Sequence, residues 1–294
     1  MYKKILFPVL FTSLVAMLTA QSNFSIEGHR GCRGLYPENT IIGFIEAVKL
    51  GVNTLELDVV VSKDGKVVVS HDPEMNDAIC STPDGKPMLE GDGKKYKLYQ
   101  MKYEEIKTFD CGIRGKGSFP EQKKIAAYKP LLSDMIDAVE TYIKQNNLPA
   151  VAYNIEIKST LAGDDVEHPK PAIFAKLVYD VVIEKNILNK TIIQSFDARP
   201  LQELKKIDPT ITLSLLIFNA NSLAKNIKQL GFKPHIYSPN YILVNKKLID
   251  KCHQLGIKII PWTVNDADKM TKLKALGVDG LITDYPNIAI KVLR

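Results

Sequence analysis

From Leu55 to Val59 apolar and acidic positions alternate, the two-residue period of a β-strand, and this puts Glu56 and Asp58 on one face. The segment Lys66 to His71 is strand-like as well, and Asp64-Gly65 between the two runs is a hairpin signal, because glycine tolerates the positive φ that tight turns require. With those two residues as the turn, Lys63 faces Lys66 and counting along the ladder sets Asp58 opposite His71. Directly opposed side chains lie ~4.5–5.5 Å apart at Cβ. Further strand-like runs lie near 24–29, 151–157, 190–195, 211–217, 235–238, 257–262 and 279–282. Helical spacing fills most of the intervals, at Ile41–Leu50, Ser133–Ile143, Ile173–Ile187, Pro200–Ile207 and Ala267–Leu276. With the returning hairpin arm set aside, eight strands with helical crossovers predict an α/β fold, a single (β/α)8 or TIM barrel over residues 21–294.

Two stretches break this rhythm. Residues 73–129 are rich in Gly, Pro and Lys, with little apolar periodicity outside Leu98 to Phe109. Loops this long are usually functional, and both a partial cap over the site and a solvated insertion fit. At the N-terminus Lys3 and Lys4 precede an apolar run from Ile5 to Leu18, then Thr19-Ala20, which reads as a signal peptide over residues 1–20. The run is short for a spanning helix, which needs ~20 apolar residues. The expectation is an exported protein, periplasmic or secreted, with no stable membrane anchor after cleavage.

Removal of the leader takes two lysines and no acids, so the net charge falls from +6 to +4. That excess is spread along the chain, which argues against nucleic acid as a partner and leaves an anionic small molecule acceptable. Export permits disulfides. Cys80 and Cys111 fall in the same irregular stretch and pairing them would staple it, while Cys252 fits a small buried position and Cys32 fits either a free thiol or simple packing.

In a parallel barrel the chemistry gathers at the C-terminal strand ends. His29-Arg30, Glu56/Asp58, Glu156-Ile157-Lys158, Gln194-Ser195-Phe196 and Trp262 all fall there. Each has a plain structural alternative: a salt bridge for a carboxylate, an ion pair for Arg30 or Lys158, packing for Phe196 or Trp262. Three inward carboxylates, Glu56, Asp58 and Glu156, need a partner, however, and a hard divalent cation, Ca²⁺ or Mg²⁺, suits an all-oxygen set. His29 and His71 suit general acid and base work near neutral pH. Arg30 and Lys158 form a clamp for charge developing on a phosphoryl group. Phe196 and Trp262 fit a substrate wall.

The ordered segments His29-Arg30-Gly31, Pro37-Glu38-Asn39-Thr40, Glu56-Leu57-Asp58-Val59, Lys63-Asp64-Gly65, His71-Asp72, Asn154-Ile155-Glu156-Ile157-Lys158, Ser195-Phe196, Trp262-Thr263-Val264-Asn265 and Thr283-Asp284-Tyr285-Pro286 resemble the glycerophosphodiester phosphodiesterase family. The resemblance spans residues 27–287 and implies a phospholipase-C-like TIM barrel with an insertion after the hairpin, which 73–129 matches. It implies Glu56, Asp58 and Glu156 as ligands of one divalent cation, His29 and His71 as acid and base, and Arg30 and Lys158 on phosphate. The implied reaction is hydrolysis of a glycerophosphodiester to sn-glycerol 3-phosphate and an alcohol, through a cyclic phosphate or by direct attack of water. Cys32-Arg33 departs from the small residues more usual after His29-Arg30-Gly31. Three alternatives stand beside this reading: a lysophospholipase D-like activity, a glycosidase built on paired carboxylates, and a non-catalytic phosphate-binding barrel.

Overall fold

The parallel strands, in a computed structural model that describes residues 24–294, are β1 (Ser25–Gly28), β2 (Thr54–Val61), β4 (Ala152–Ile157), β5 (Thr191–Ser195), β6 (Thr212–Ile217), β7 (Ile236–Pro239), β8 (Lys258–Ile259) and β9 (Gly280–Thr283). The expected leader at 1–20 lies outside the described residues. A short β3 (Val67–Val69) runs antiparallel to β2. The order β8-β7-β6-β5-β4-β2-β1-β9 wraps into a nearly closed barrel. Across the seam, the amides of Asp279 and Ile282 donate to the carbonyls of Ile259 and Pro261, each at 2.9 Å. The expected strand 257–262 is thus only two regular residues long, because Pro261 has no amide to give the ladder.

Helices α1 (Ile41–Leu50), α2 (Tyr103–Ile106), α3 (Leu132–Gln145), α4 (Pro171–Glu184), α5 (Ala198–Ile207), α6 (Leu223–Leu230), α7 (Lys246–Gln254), α8 (Ala267–Leu276) and α9 (Pro286–Leu293) supply the outer layer and its connections. The start of α1 matters for the site. Thr40 Oγ1 accepts the Gly43 amide at 3.1 Å and donates to the Pro37 carbonyl at 2.7 Å, so the N-cap also fixes the preceding Glu38 and Asn39. Gly51, at φ 93°, closes the same helix.

The hairpin register differs from the sequence expectation by one residue. Val59 pairs with Val69 and Val61 with Val67, and the Ser70 amide donates to the Asp58 carbonyl, so Asp58 faces Ser70 and not His71. The turn is a three-residue loop, Lys63-Asp64-Gly65, with the Ser62 amide bonded to the Lys66 carbonyl and Gly65 at φ 73°. Asp64 stabilises it by accepting from Ser62 Oγ at 2.7 Å and from the Tyr103 amide at 3.0 Å. A one-residue slip exchanges the two faces of a strand. In the observed register Val59, Val61, Val67 and Val69 join the main core between barrel and helices, while Val60 and Val68 face the opposite way.

What Val60 and Val68 face is the insertion. They pack with Met75, Ile79, Cys80, Met88, Leu98, Tyr103, Ile106, Phe109 and Cys111 into a second apolar core. Cys80 and Cys111 are disulfide-bonded across 31 positions, and closing a loop of that length stabilises by about 3–4 kcal/mol in the chain-entropy account. Residues 73–129 are therefore not a solvated excursion: they fold against the hairpin, and Pro73 lines a pocket beside the histidine cavity together with His71, Glu156 and Lys158. Cys32 and Cys252 are free and buried, as packing positions.

Candidate active site

Strand β2 is longer than its neighbours, and this creates the site. On one flank β1 rises to Gly28, paired with Leu55; on the same flank β3 descends to Val69, paired with Val59. Residues 29–31 and 70–71 enter the gap from opposite directions, which brings His29 and His71 to one cavity. Glu56 and Asp58 rise from the stretch of β2 in that gap. On the other flank Asp58 pairs with Glu156 of β4. Ligand oxygens of Glu56, Asp58 and Glu156 all lie within 4.8 Å of one another, and all three residues are buried.

The three carboxylates differ electrostatically. Burial and the adjoining Asp58 and Glu156 charges push Glu56 well above the ordinary carboxyl range. It accepts the Arg30 amide at 3.0 Å and Gln194 Nε2 at 2.9 Å. Glu156 is likewise raised by burial, against the pull of Lys158. Burial would also raise Asp58, but Lys158 and Arg30 outweigh it and hold that carboxyl well below its usual range. Arg30 Nε lies 3.1 Å from Asp58 Oδ2, Lys158 Nζ 2.8 Å from Glu156 and 3.4 Å from Asp58 Oδ1. Among the described residues Asp58 Oδ1 has no hydrogen-bond partner, only the Lys158 ammonium at 3.4 Å.

Each histidine is oriented by an aspartate. His29 Nδ1 meets Asp284 Oδ1 at 2.6 Å, and its Nε2 points toward Glu56, 3.9 Å away. Burial pushes the His29 imidazole down to about 4 despite Asp284, so it is neutral at neutral pH. His71 Nδ1 meets Asp72 Oδ1 at 2.7 Å, and Asp72 also accepts Asn76 Nδ2 at 2.6 Å. Both rings are thereby left with Nε2 as the free nitrogen.

The cavity has a volume of about 270 Å³ and is lined by both histidines, Arg30, Arg33, Glu56, Glu156, Lys158, Gln194, Phe196 and Trp262. Trp262 donates Nε1 to the Ser238 carbonyl at 2.9 Å and meets Phe196 edge-on, with centroids 5.4 Å apart. A larger cavity of about 570 Å³ lies between α6 and α7 and contains none of these residues.

The sequence pattern of the glycerophosphoryl diester phosphodiesterase family matches residues 29–288. This chain belongs to that family. A glycerophosphodiester phosphodiesterase of Caldanaerobacter subterraneus is 31% identical over 266 residues, covering 90% of this chain and 96% of its own length. One from Bacillus altitudinis is 31% identical over 271 residues, covering 91% and 97%. A solved structure from Silicibacter pomeroyi, assigned to the same phosphodiesterase class, superposes with a TM-score of 0.82 at 29% identity, covering 93% and 94% of the two chains. An Oleispira antarctica phosphodiesterase, solved with the product sn-glycerol-3-phosphate, shares the fold at a TM-score of 0.72 and 20% identity, covering 92% and 96%.

The activity class is glycerophosphodiester hydrolysis, and several groups around this phosphodiesterase's cavity, behind or beside its lining residues, are not among the candidates that the strand-end pattern picks out. Asp284, which follows β9, serves His29, Arg33 and Asn265 together, the last donating Nδ2 at 2.7 Å. Glu38 takes Arg30 Nη1 at 2.8 Å, and Asn39 donates Nδ2 to Asp58 Oδ2 at 2.9 Å from a backbone at φ 55°. Phe218 extends the aromatic group, 6.0 Å from Trp262. The signal for Glu38, Asn39 and Asp284 was present in the matched motifs; only their partners were missing.

Proposed function

We propose that this enzyme hydrolyses glycerophosphodiesters to sn-glycerol 3-phosphate and an alcohol with one divalent cation, Ca²⁺ or Mg²⁺, held by Glu56, Asp58 and Glu156. One observation carries the reading: three buried carboxylates with ligand oxygens within 4.8 Å of each other, one of which, Asp58, keeps an oxygen without a hydrogen bond. Arg30 and Lys158 offset two of the three like charges and leave Glu56 without a side-chain cation, so a further counter-charge is favoured, and an all-oxygen donor set fits a hard cation. The chemistry such a cation supplies is polarisation of a non-bridging phosphate oxygen.

The chain's own groups do the rest. Of His29 and His71, one takes the proton of the nucleophile while the other protonates the leaving alcohol, each steadied at Nδ1 by its aspartate. Arg30 and Lys158 neutralise the charge that grows on the phosphoryl oxygens. Phe196 and Trp262 wall the substrate. The sn-glycerol-3-phosphate held by the Oleispira antarctica structure supports this choice of product. The leader-like residues 1–20 and the Cys80–Cys111 bond support export to a periplasm or the medium. Among the described residues no helix is long and apolar enough to cross a membrane.

A coupled assay for sn-glycerol 3-phosphate tests the reading, run on a panel of head groups with chelator and with added Ca²⁺ or Mg²⁺. Release that survives chelation would remove the cation from the reaction. A second reading, lysophospholipase D-like activity, is favoured by the exposed rim residues Phe196, Phe218 and Ile242 and by a human lysophospholipase D that is 24% identical. Faster choline release from lysophosphatidylcholine than from glycerophosphocholine would select it. Tight product binding without turnover of any substrate would instead mark a phosphate-binding barrel.

A further inference from the structure

Arg30 and Arg33 both line the catalytic cavity, but their guanidinium groups are engaged differently. Arg30 lies deeper, its side chain 8% exposed, with Nη1 on Glu38 at 2.8 Å and Nε on Asp58 at 3.1 Å. Arg33 is twice as exposed at 16% and uses Nε and Nη2 on Asp284, at 2.5 and 3.3 Å. Its Nη1 makes no hydrogen bond among the described residues; the Glu38 carboxylate is 4.0 Å away. The other side of the guanidinium is supported by the insertion, where the Phe119 ring centroid lies 5.1 Å from Arg33 Cζ. Gln122 Nε2 holds the Arg33 carbonyl at 2.6 Å, and Phe119 is itself braced edge-on against Tyr285.

A guanidinium held by a carboxylate on one side and an aromatic face on the other has lost its rotamer freedom before any ligand arrives, so binding does not have to supply that ordering. It also keeps spare donors in a planar fork that matches phosphate oxygens. We propose that Arg33 is a substrate-contacting residue, which takes the phosphate together with Arg30 and Lys158, and that the insertion serves as its mount. This rests on the glycerophosphodiester reading above. It also gives Phe119 and Gln122 of the insertion a part in the reaction from behind the cavity wall.

The test uses the full chain and two readouts, binding of sn-glycerol 3-phosphate by calorimetry and steady-state hydrolysis of glycerophosphocholine across pH. Arg33→Gln is expected to weaken product binding and raise KM by about tenfold or more, in addition to whatever its loss from Asp284 does to the pH profile of kcat. Arg33→Lys, which keeps the charge and loses the fork, should recover part of that loss. Phe119→Leu, which leaves the charge in place, should raise KM by about two- to threefold. Should Arg33→Gln fail to fold, the Lys and Phe119 variants carry the same test. Product affinity and KM within twofold of wild type in these variants, with only kcat or its pH profile changed, would show that Arg33 merely clamps Asp284. Wild-type protein that neither binds nor releases sn-glycerol 3-phosphate would overturn the functional reading instead, a result separable from the first.

Discussion

Glu56 at the floor of the cavity and Asp58 behind it are each 1% exposed and held by Arg30, Lys158, Gln194 and Asn39, whereas Phe196 and Phe218 at the rim are 47% and 62% exposed and meet mainly Trp262. The floor residues sit within strands, where backbone register sets each side chain's direction. The rim residues follow strand ends, on connections that run over the surface. The charged groups are thus carried by paired strands, and the exposed aromatic surface by connections where a loop change alters shape without disturbing the carboxylates. The difference predicts that floor substitutions act on kcat and rim substitutions on KM.

The largest effect should come from the histidines. His29→Ala and His71→Ala are each expected to lower kcat by at least ~10²-fold with the circular dichroism spectrum unchanged, the usual scale for losing a general acid or base. Near-wild-type turnover in either would take that residue out of the mechanism and dissolve the contrast on that side. Glu56→Gln should shift the metal-activation curve to higher cation concentration, by about tenfold or more; a superimposable curve would mean that Glu56 is not a ligand. At the rim, Trp262→Ala should raise KM by up to about tenfold while kcat stays within a few-fold, since an aromatic contact contributes ~0.5–1.5 kcal/mol beyond its area. A collapse of kcat instead would make the wall part of the chemistry.

The smallest effect sits beneath the floor. Glu27 is fully buried, and burial pushes its carboxyl up to about 7, against hydrogen bonds from Asn154 and Ser25. The folded state therefore holds a proton that the unfolded state releases at ordinary carboxyl pH. Stability from this group is present at low pH, is lost as pH rises from ~4.5 to about 7, and is flat above that. Glu27→Gln should narrow the difference between urea midpoints measured at pH 5 and pH 8; an unchanged difference would show that Glu27 is ionised throughout.

Much of the floor was legible in advance because strand periodicity is local. Alternation alone put Glu56 and Asp58 on one face, and the barrel pattern set Glu156 and Lys158 at the same rim. The hairpin register was not legible, since Asp64-Gly65 is compatible with a two- or a three-residue loop. The longer loop is held both locally, by Ser62 Oγ on Asp64, and from the insertion, by the Tyr103 amide on the same carboxylate. His71 reaches the site all the same, because it lies past the end of β3, where the chain bends into the gap above His29 rather than following the ladder. The insertion's own core was hidden for a related reason: its apolar residues are irregularly spaced and become a cluster only when the disulfide and the Val60/Val68 face of the hairpin gather them.

By itself the sequence determined the element order, the α/β class and the inventory of reactive groups at the strand ends, because period and motif spacing are properties of short stretches of chain. Tertiary structure alone decided which groups work in pairs. Asp284 lies 255 positions from His29, and no local pattern records that closing β9 onto β1 makes them neighbours at 2.6 Å. Arg33 is the same case: it becomes a poised cation only where the end of β9 and the insertion converge on it.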